Sequence, residues 1–148
     1  MTTALDTSQR PPQFHPDYLV GNQEPSCSHV PSGDPARAIE ALWFIRDCGG
    51  TLYPWQEDLV FDMLLTRTNG TWASREVVVP LARQNGKGEV LVWRELVGIY
   101  LLGEKRILHT AHFLDTAVDA RDRLWDIISN NPEPVSYTHL TLPTNREV

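Results

Sequence analysis

The residues of this chain that could do chemistry are concentrated in one stretch, Glu76–Gly88. It begins with the β-branched run Val77–Val79, which is typical of a buried strand, and continues through Asn85–Lys87 into a long apolar segment. A strand, a glycine-containing turn, a lysine and a helix form the layout of a phosphate-binding loop. In such a loop backbone N–H groups surround the anion, the lysine reaches the outer phosphates, and the helix N-terminus faces the negative charge. The stretch therefore predicts binding of a nucleoside triphosphate.

The loop differs from the pattern G-x-x-x-x-G-K-[ST] at two positions. Leu81 stands in place of the first glycine, and Gly88 stands in place of the Ser or Thr whose hydroxyl binds Mg²⁺. The alternative is a left-handed turn at Asn85–Gly86 that joins a strand to a helix and leaves Lys87 solvated. From the residues alone, both interpretations stay open.

Length and composition limit the class of protein. The chain has 148 residues, enough for one domain with a modest core. Its formal net charge of −6 argues against general binding of polyanions, so a DNA contact would need a local basic patch. Two cysteines, Cys27 and Cys48, are too few for a disulfide framework, and with no signal peptide in the sequence they predict a reducing cytoplasm. No apolar run is long enough to span a bilayer.

Four helices and two strands are predicted around the loop. Capping residues and apolar periodicity place the helices at about 35–48, 54–67, 87–102 and 115–130, and the strands at 75–81 and 106–111. A strand–helix–strand–helix order implies a right-handed crossover in a parallel sheet flanked by helices, so the predicted fold class is α/β.

The predicted organisation has three parts. Residues 1–33 are rich in polar residues and proline and are expected to form a flexible arm. Residues 34–134 are expected to be the N-terminal, incomplete part of a P-loop ATPase domain. Residues 135–148 resemble translated library-adapter sequence, and we expect an artefactual or disordered tail there. On that expectation the natural protein is truncated near Pro134.

Three motifs occur in an order that resembles the large terminase subunit of tailed bacteriophages: Leu52–Gln56, Pro80–Lys87 and Ile107–His112. The resemblance covers roughly residues 52–128. It implies a phosphate-binding loop that begins with a basic residue, Arg83, and runs Arg-Gln-x-Gly-Lys. The two residues between Pro80 and Arg83 depart from the commoner Pro-Arg-Gln spacing of that family.

The loop pattern and the resemblance together assign roles to individual residues. Lys87 would lie against the β- and γ-phosphates, and Arg83 would act as a second catalytic cation near the γ-phosphate, although Arg83 could equally pair with Glu76. The resemblance implies that Trp55 stacks on adenine and that Gln56 forms amide hydrogen bonds to it; the alternative is that Trp55 is a core residue. The predicted nucleotide-binding residues are Trp55, Gln56, Gln84, Asn85, Gly86, Lys87, Gly88 and Glu89.

The resemblance also implies cofactors and partners. ATP and Mg²⁺ would be bound, and the complete protein would be an ATPase and endonuclease. It would drive viral double-stranded DNA into a procapsid through a portal ring and cut the concatemer, with a small terminase subunit as a further partner. A ring oligomer in the bacterial host cytoplasm, without membrane contact, is the expected assembly.

Several residues that this chemistry requires do not occur in the chain. No hydrophobic run followed by Asp-Glu, and no carboxylate cluster suited to a two-metal nuclease, follows Ala111. The histidines His109 and His112 and the pair Cys27 and His29 lack a four-ligand spacing, so no metal site made of protein residues is predicted. We therefore expect little or no ATP hydrolysis from this chain alone. Two alternatives remain: another P-loop NTPase, such as a helicase-like enzyme, and a non-catalytic remnant or binding module.

Overall fold

The structure, a computed structural model, describes residues 8–19 and 21–131. Within them the chain forms four helices: α1 (Ala36–Asp47), α2 (Pro54–Met63), α3 (Lys87–Tyr100) and α4 (Leu114–Asn130). Two isolated antiparallel bridges, Asp34 with Thr66 and Thr66 with Trp72, are the β pairing in this part of the chain. The predicted tail at 135–148 and the first seven residues of the predicted arm lie outside the described residues.

The predicted α/β fold with a parallel sheet is wrong, because the described residues are helical and contain no strand. The two segments expected to be strands, 75–81 and 106–111, have no regular secondary structure. Each segment has an apolar residue that faces solvent: Val78 is 77% exposed and Leu108 is 88% exposed. A strand requires backbone hydrogen bonds to a neighbouring strand, and β-branched composition indicates only that a segment would fit a sheet. Neither segment meets such a neighbour among the described residues.

The first predicted helix is confirmed as α1. Asp34 Oδ1 accepts a hydrogen bond of 2.9 Å from the backbone N–H of Ala36, which satisfies a donor at the start of the helix. At the other end Gly49 has φ +78, and the Gly50 N–H donates back to the Ile45 carbonyl at 2.8 Å. Glycine adopts this left-handed conformation without steric cost, so the chain turns there towards α2.

Helix α2 begins at Pro54 as predicted but ends at Met63 rather than near Arg67. The chain leaves the helix because Thr66 pairs with Asp34 through backbone hydrogen bonds of 2.7 and 3.1 Å. Leu64 and Leu65, which follow α2, are fully buried. Helix α2 is therefore about one turn shorter than predicted, because burial of these two leucines and pairing at Thr66 outweigh the local helix propensity.

The apolar core lies between α1, α2 and α3. Val60 of α2 and Val97 of α3 are fully buried, and Trp93 of α3 is 1% exposed. A Cβ on Gly50 would lie 2.7 Å from Trp93 Cζ2, so the connection between α1 and α2 packs directly on that indole. Helix α4 packs on α3 and contributes Ile127 to the buried set. Packing in this core therefore sets the relative position of the N-terminal ends of α2 and α3.

No helix in the described part of the chain combines the length and the apolar composition that a bilayer crossing requires.

Candidate phosphate-binding site

The loop that leads into α3 contains two left-handed residues. Gln84 has φ 61 and Gly86 has φ 83, and residues 83–84 form a turn before the helix. Gly86 is the N-cap of α3, and because glycine has no side chain it cannot cap the N–H groups of the first turn. These N–H groups and the positive end of the helix dipole are the elements with which helix N-termini bind anions.

Lys87 folds back over this loop. Its Nζ donates hydrogen bonds to the carbonyl oxygen of Leu81 and, at 3.4 Å, to that of Ala82. The side chain is half-buried. The Lys87 ammonium group thus connects the start of α3 to the carbonyl oxygens at the beginning of the loop.

Gln56 connects the loop to α2. Its Oε1 accepts a hydrogen bond of 2.8 Å from the Tyr53 N–H, and its Nε2 donates one of 2.9 Å to the Gly86 carbonyl. Gln56 is only 3% exposed. Trp55 is half-buried beside it, and its Cζ2 lies 3.8 Å from the position a Cβ on Gly86 would take. The two residues expected at the adenine thus lie against Gly86, in the loop that precedes α3.

Glu89 uses its carboxylate in contacts between helices. Oε1 accepts hydrogen bonds from Trp93 Nε1 at 3.0 Å and from an Arg123 guanidinium nitrogen at 2.8 Å. The hydrogen bond to Glu89 is the main cause that raises the pKa of Arg123. The Glu89 side chain therefore stabilises the packing of α4 on α3, and its backbone N–H is the part of the residue that lies in the first turn.

The other predicted site residues surround the loop at its surface. Arg83, Gln84, Asn85 and Gly88 are all exposed. Within residues 8–19 and 21–131 no salt bridge joins Arg83 to Glu76, the partner considered for it. Gly88 has open space around it, because a Cβ built there meets no atom within 4 Å.

An open groove of about 1350 Å³ adjoins the loop. One side is formed by α2, through Trp55, Asp58 and Asp62, and another by Glu76–Leu81 and Gln84–Gly86. Residues of the predicted arm, including Arg10 and part of 18–30, complete its lining. The groove is lined by Gln84, Asn85 and Gly86 of the loop, and Lys87 is not among its lining residues.

The carboxylates of this groove were not singled out by the sequence. Asp58 Oδ1 accepts hydrogen bonds from Arg10 at 2.8 Å and from Gln13 at 3.0 Å, and Arg10 also lies 4.4 Å from the centre of the Phe61 ring. Burial, and secondarily the charge of Asp58, raise the pKa of Asp62 to about 6. The spacing of two aspartates four residues apart on one helix could have indicated this pair. Nothing local could have indicated Arg10, which lies 48 residues away from Asp58.

The described residues do not form a protein ligand set for Mg²⁺. Gly88 offers no hydroxyl at the position where the loop pattern has one, and no group of three or more His, Cys, Asp or Glu residues converges in the part of the chain that the structure describes. His109 contacts Glu95, whereas His112 packs edge-on against Phe113. We therefore derive no chemical step through a metal ion.

No protein-family model matches the chain, and no curated protein or solved structure is significantly similar to it.

Proposed function

We propose that residues 83–89 bind the phosphates of a nucleoside triphosphate. The observation that carries this proposal is the position of Lys87, whose ammonium group closes a loop with two left-handed residues in front of the uncapped start of α3. A cation, a tight backbone turn and a helix N-terminus at one place are the three elements of phosphate recognition.

The energetics favour an anion at this position. Lys87 Nζ now contacts neutral carbonyl oxygens of Leu81 and Ala82. A phosphate oxygen would add the attraction between opposite charges, because both partners of the hydrogen bond would then be ionised. The helix N-terminus contributes a further ~0.3–1 kcal/mol towards a negative group. The lysine charge and the helix N-terminus would act on the same phosphate, because Lys87 is itself the first residue of α3.

The larger proposal is that the chain is the ATP-binding portion of a phage terminase large subunit. It is supported by the three motifs in family order and by the loop geometry around Arg83–Lys87. The complete protein would hydrolyse ATP to move viral double-stranded DNA through a portal ring in the bacterial cytoplasm. ATP with Mg²⁺ and the small terminase subunit belong to the same proposal. The chain itself would bind and orient the triphosphate without hydrolysing it.

Calorimetric titration of the chain with ATP and with base-free tripolyphosphate tests the proposal. Lys87→Ala should weaken both by at least tenfold, because it removes a charge-assisted contact worth about 1.5–3 kcal/mol. Lys105→Ala, which removes an exposed lysine between α3 and α4, is the matched control and should change neither. Binding that survives Lys87→Ala would refute the phosphate-binding loop and favour a binding module with an ordinary turn.

A further inference from the structure

Gln56 has a buried amide whose oxygen and nitrogen are both used by backbone groups. A glutamine amide offers one oxygen with two lone pairs and one nitrogen with two N–H groups. Here the oxygen accepts from the Tyr53 N–H and the nitrogen donates to the Gly86 carbonyl, at 2.8 and 2.9 Å. With Gln56 only 3% exposed, a nucleobase could reach the amide only after these contacts had opened.

We propose that Gln56 is a positioning residue that holds the phosphate-binding loop to the start of α2 and does not read the nucleobase. This inference rests on the proposed function, because it assigns a role within the same site. Gln56 joins two helix starts: it bonds the residue before α2 through its oxygen and the N-cap of α3 through its nitrogen. The orientation of the loop is thereby set by the packing of α2 against α3.

The shape of the loop at Gly86 supports the same role independently. A Cβ on Gly86 would lie 2.7 Å from Gln56 Nε2, closer than real Cβ atoms approach. The backbone at Gly86 can therefore meet the Gln56 amide only because position 86 is glycine and has a left-handed φ of 83. Glycine and glutamine form a matched pair at this contact.

The substitution Gln56→Glu separates the two roles. Glutamate keeps an oxygen for the Tyr53 N–H but places a second oxygen, instead of a donor, against the Gly86 carbonyl. Gln56→Met keeps the length of the side chain and removes both hydrogen bonds without adding charge. Gln9→Glu, at an exposed glutamine, repeats the change of charge elsewhere.

The measurement compares the affinities of each variant for ATP, GTP and tripolyphosphate. A positioning residue acts on the loop, so we expect Gln56→Glu and Gln56→Met to weaken all three ligands by the same factor, roughly tenfold. Gln9→Glu should leave all three unchanged. A loss confined to ATP, with GTP and tripolyphosphate unaffected, would overturn the inference and assign base recognition to Gln56.

Amide hydrogen exchange gives a readout that needs no ligand. If Gln56 holds the loop, exchange at Val90, Leu91 and Val92, the first positions of α3 with helical hydrogen-bond acceptors, should be at least several-fold faster in Gln56→Met than in the unsubstituted chain. Unchanged exchange would overturn the positioning role. If the unsubstituted chain binds none of the three ligands, the proposed function fails, and exchange still decides whether Gln56 positions the loop.

Discussion

Substitution of Gly86 by alanine tests the loop geometry without any ligand. Alanine at φ 83 adopts the left-handed region at a cost of about 1–2 kcal/mol. Its Cβ would also lie 2.7 Å from Gln56 Nε2, so the Gln56 amide must move away from the Gly86 carbonyl. Leaving the buried Gln56 Nε2 without this acceptor costs about 1–3 kcal/mol. The expected loss in the free energy of unfolding is therefore about 2–5 kcal/mol.

Substitutions at two other glycines separate the cost of losing the Gln56 hydrogen bond from the cost of the left-handed backbone. Gly70 has φ 79, but a Cβ there meets no atom within 4 Å, so Gly70→Ala carries the left-handed cost alone, about 1–2 kcal/mol. Gly88 lies in the first turn of α3 in open space, so Gly88→Ala should stabilise the chain by about 0.5–1 kcal/mol through helix propensity. Entropy lost from the unfolded chain is similar in all three substitutions and cancels in the comparison.

Urea unfolding of the three variants, followed by far-ultraviolet circular dichroism, gives the free energies through a common m-value. We expect Gly86→Ala to lower the free energy of unfolding by about 1–3 kcal/mol more than Gly70→Ala does. Equal losses at positions 70 and 86 would refute it, because they would mean that the Gln56 contact contributes nothing to the loop.

Three further predictions concern the metal, the pH dependence and a buried ion pair. Gly88→Thr should tighten Mg²⁺-dependent ATP binding, measured calorimetrically, because it adds a hydroxyl where open space receives it. Burial raises the pKa of Asp62 to about 6, so the folded protein favours the protonated carboxyl. The resulting stabilisation is fully present below pH ~4 and is lost as the pH rises through ~6. Asp62→Asn should therefore raise the free energy of unfolding by about 1–3 kcal/mol at pH 7.5 and change it little at pH 4. Arg46→Met should cost about 3 kcal/mol in urea unfolding, because it leaves the buried Glu57 carboxylate without its partner at 2.9 Å.

Each of these predictions has its own control. The effect of Gly88→Thr should vanish when Mg²⁺ is chelated; a gain that persists would place position 88 away from the metal. Asp119→Asn, at an exposed aspartate of α4, is the matched control for loss of a carboxylate. For the ion pair, adding Glu57→Gln to Arg46→Met should recover most of the loss, since no buried charge then remains. Failure to recover would show that Arg46 acts through packing.

The helices could be predicted from the sequence because their signals are local. Asp34 before α1, Pro54 at the start of α2 and Gly86 before α3 mark helix ends within a few residues of where they lie. The predicted parallel sheet is wrong, because β-branched residues such as Val77–Val79 indicate compatibility with a strand and say nothing about a pairing partner. The early end of α2 had no local signal either, since it depends on the pairing of Thr66 with Asp34.

The candidate site divides in the same way. The turn before α3, with Lys87 as the first helical residue, follows from residue types and spacing, whereas phosphate binding there stays a prediction; the structure adds the left-handed φ angles of Gln84 and Gly86. The contact between Gln56 and Gly86 spans 30 residues, and the contact between Arg10 and Asp58 spans 48. Such contacts depend on how α2 packs, which a single sequence does not encode locally.

The irregular, solvent-facing segment around Val78 has a consequence for how the chain can be cut. Its side chain is 77% exposed, and no backbone ladder secures residues 76–81 within the described part of the chain. A protease can bind such backbone in its cleft without first melting a helix. One cut there would leave α1 and α2 on one fragment and α3 and α4 on the other. The two fragments would remain associated through the core around Val60, Trp93 and Val97, so limited digestion should yield a nicked but still folded protein.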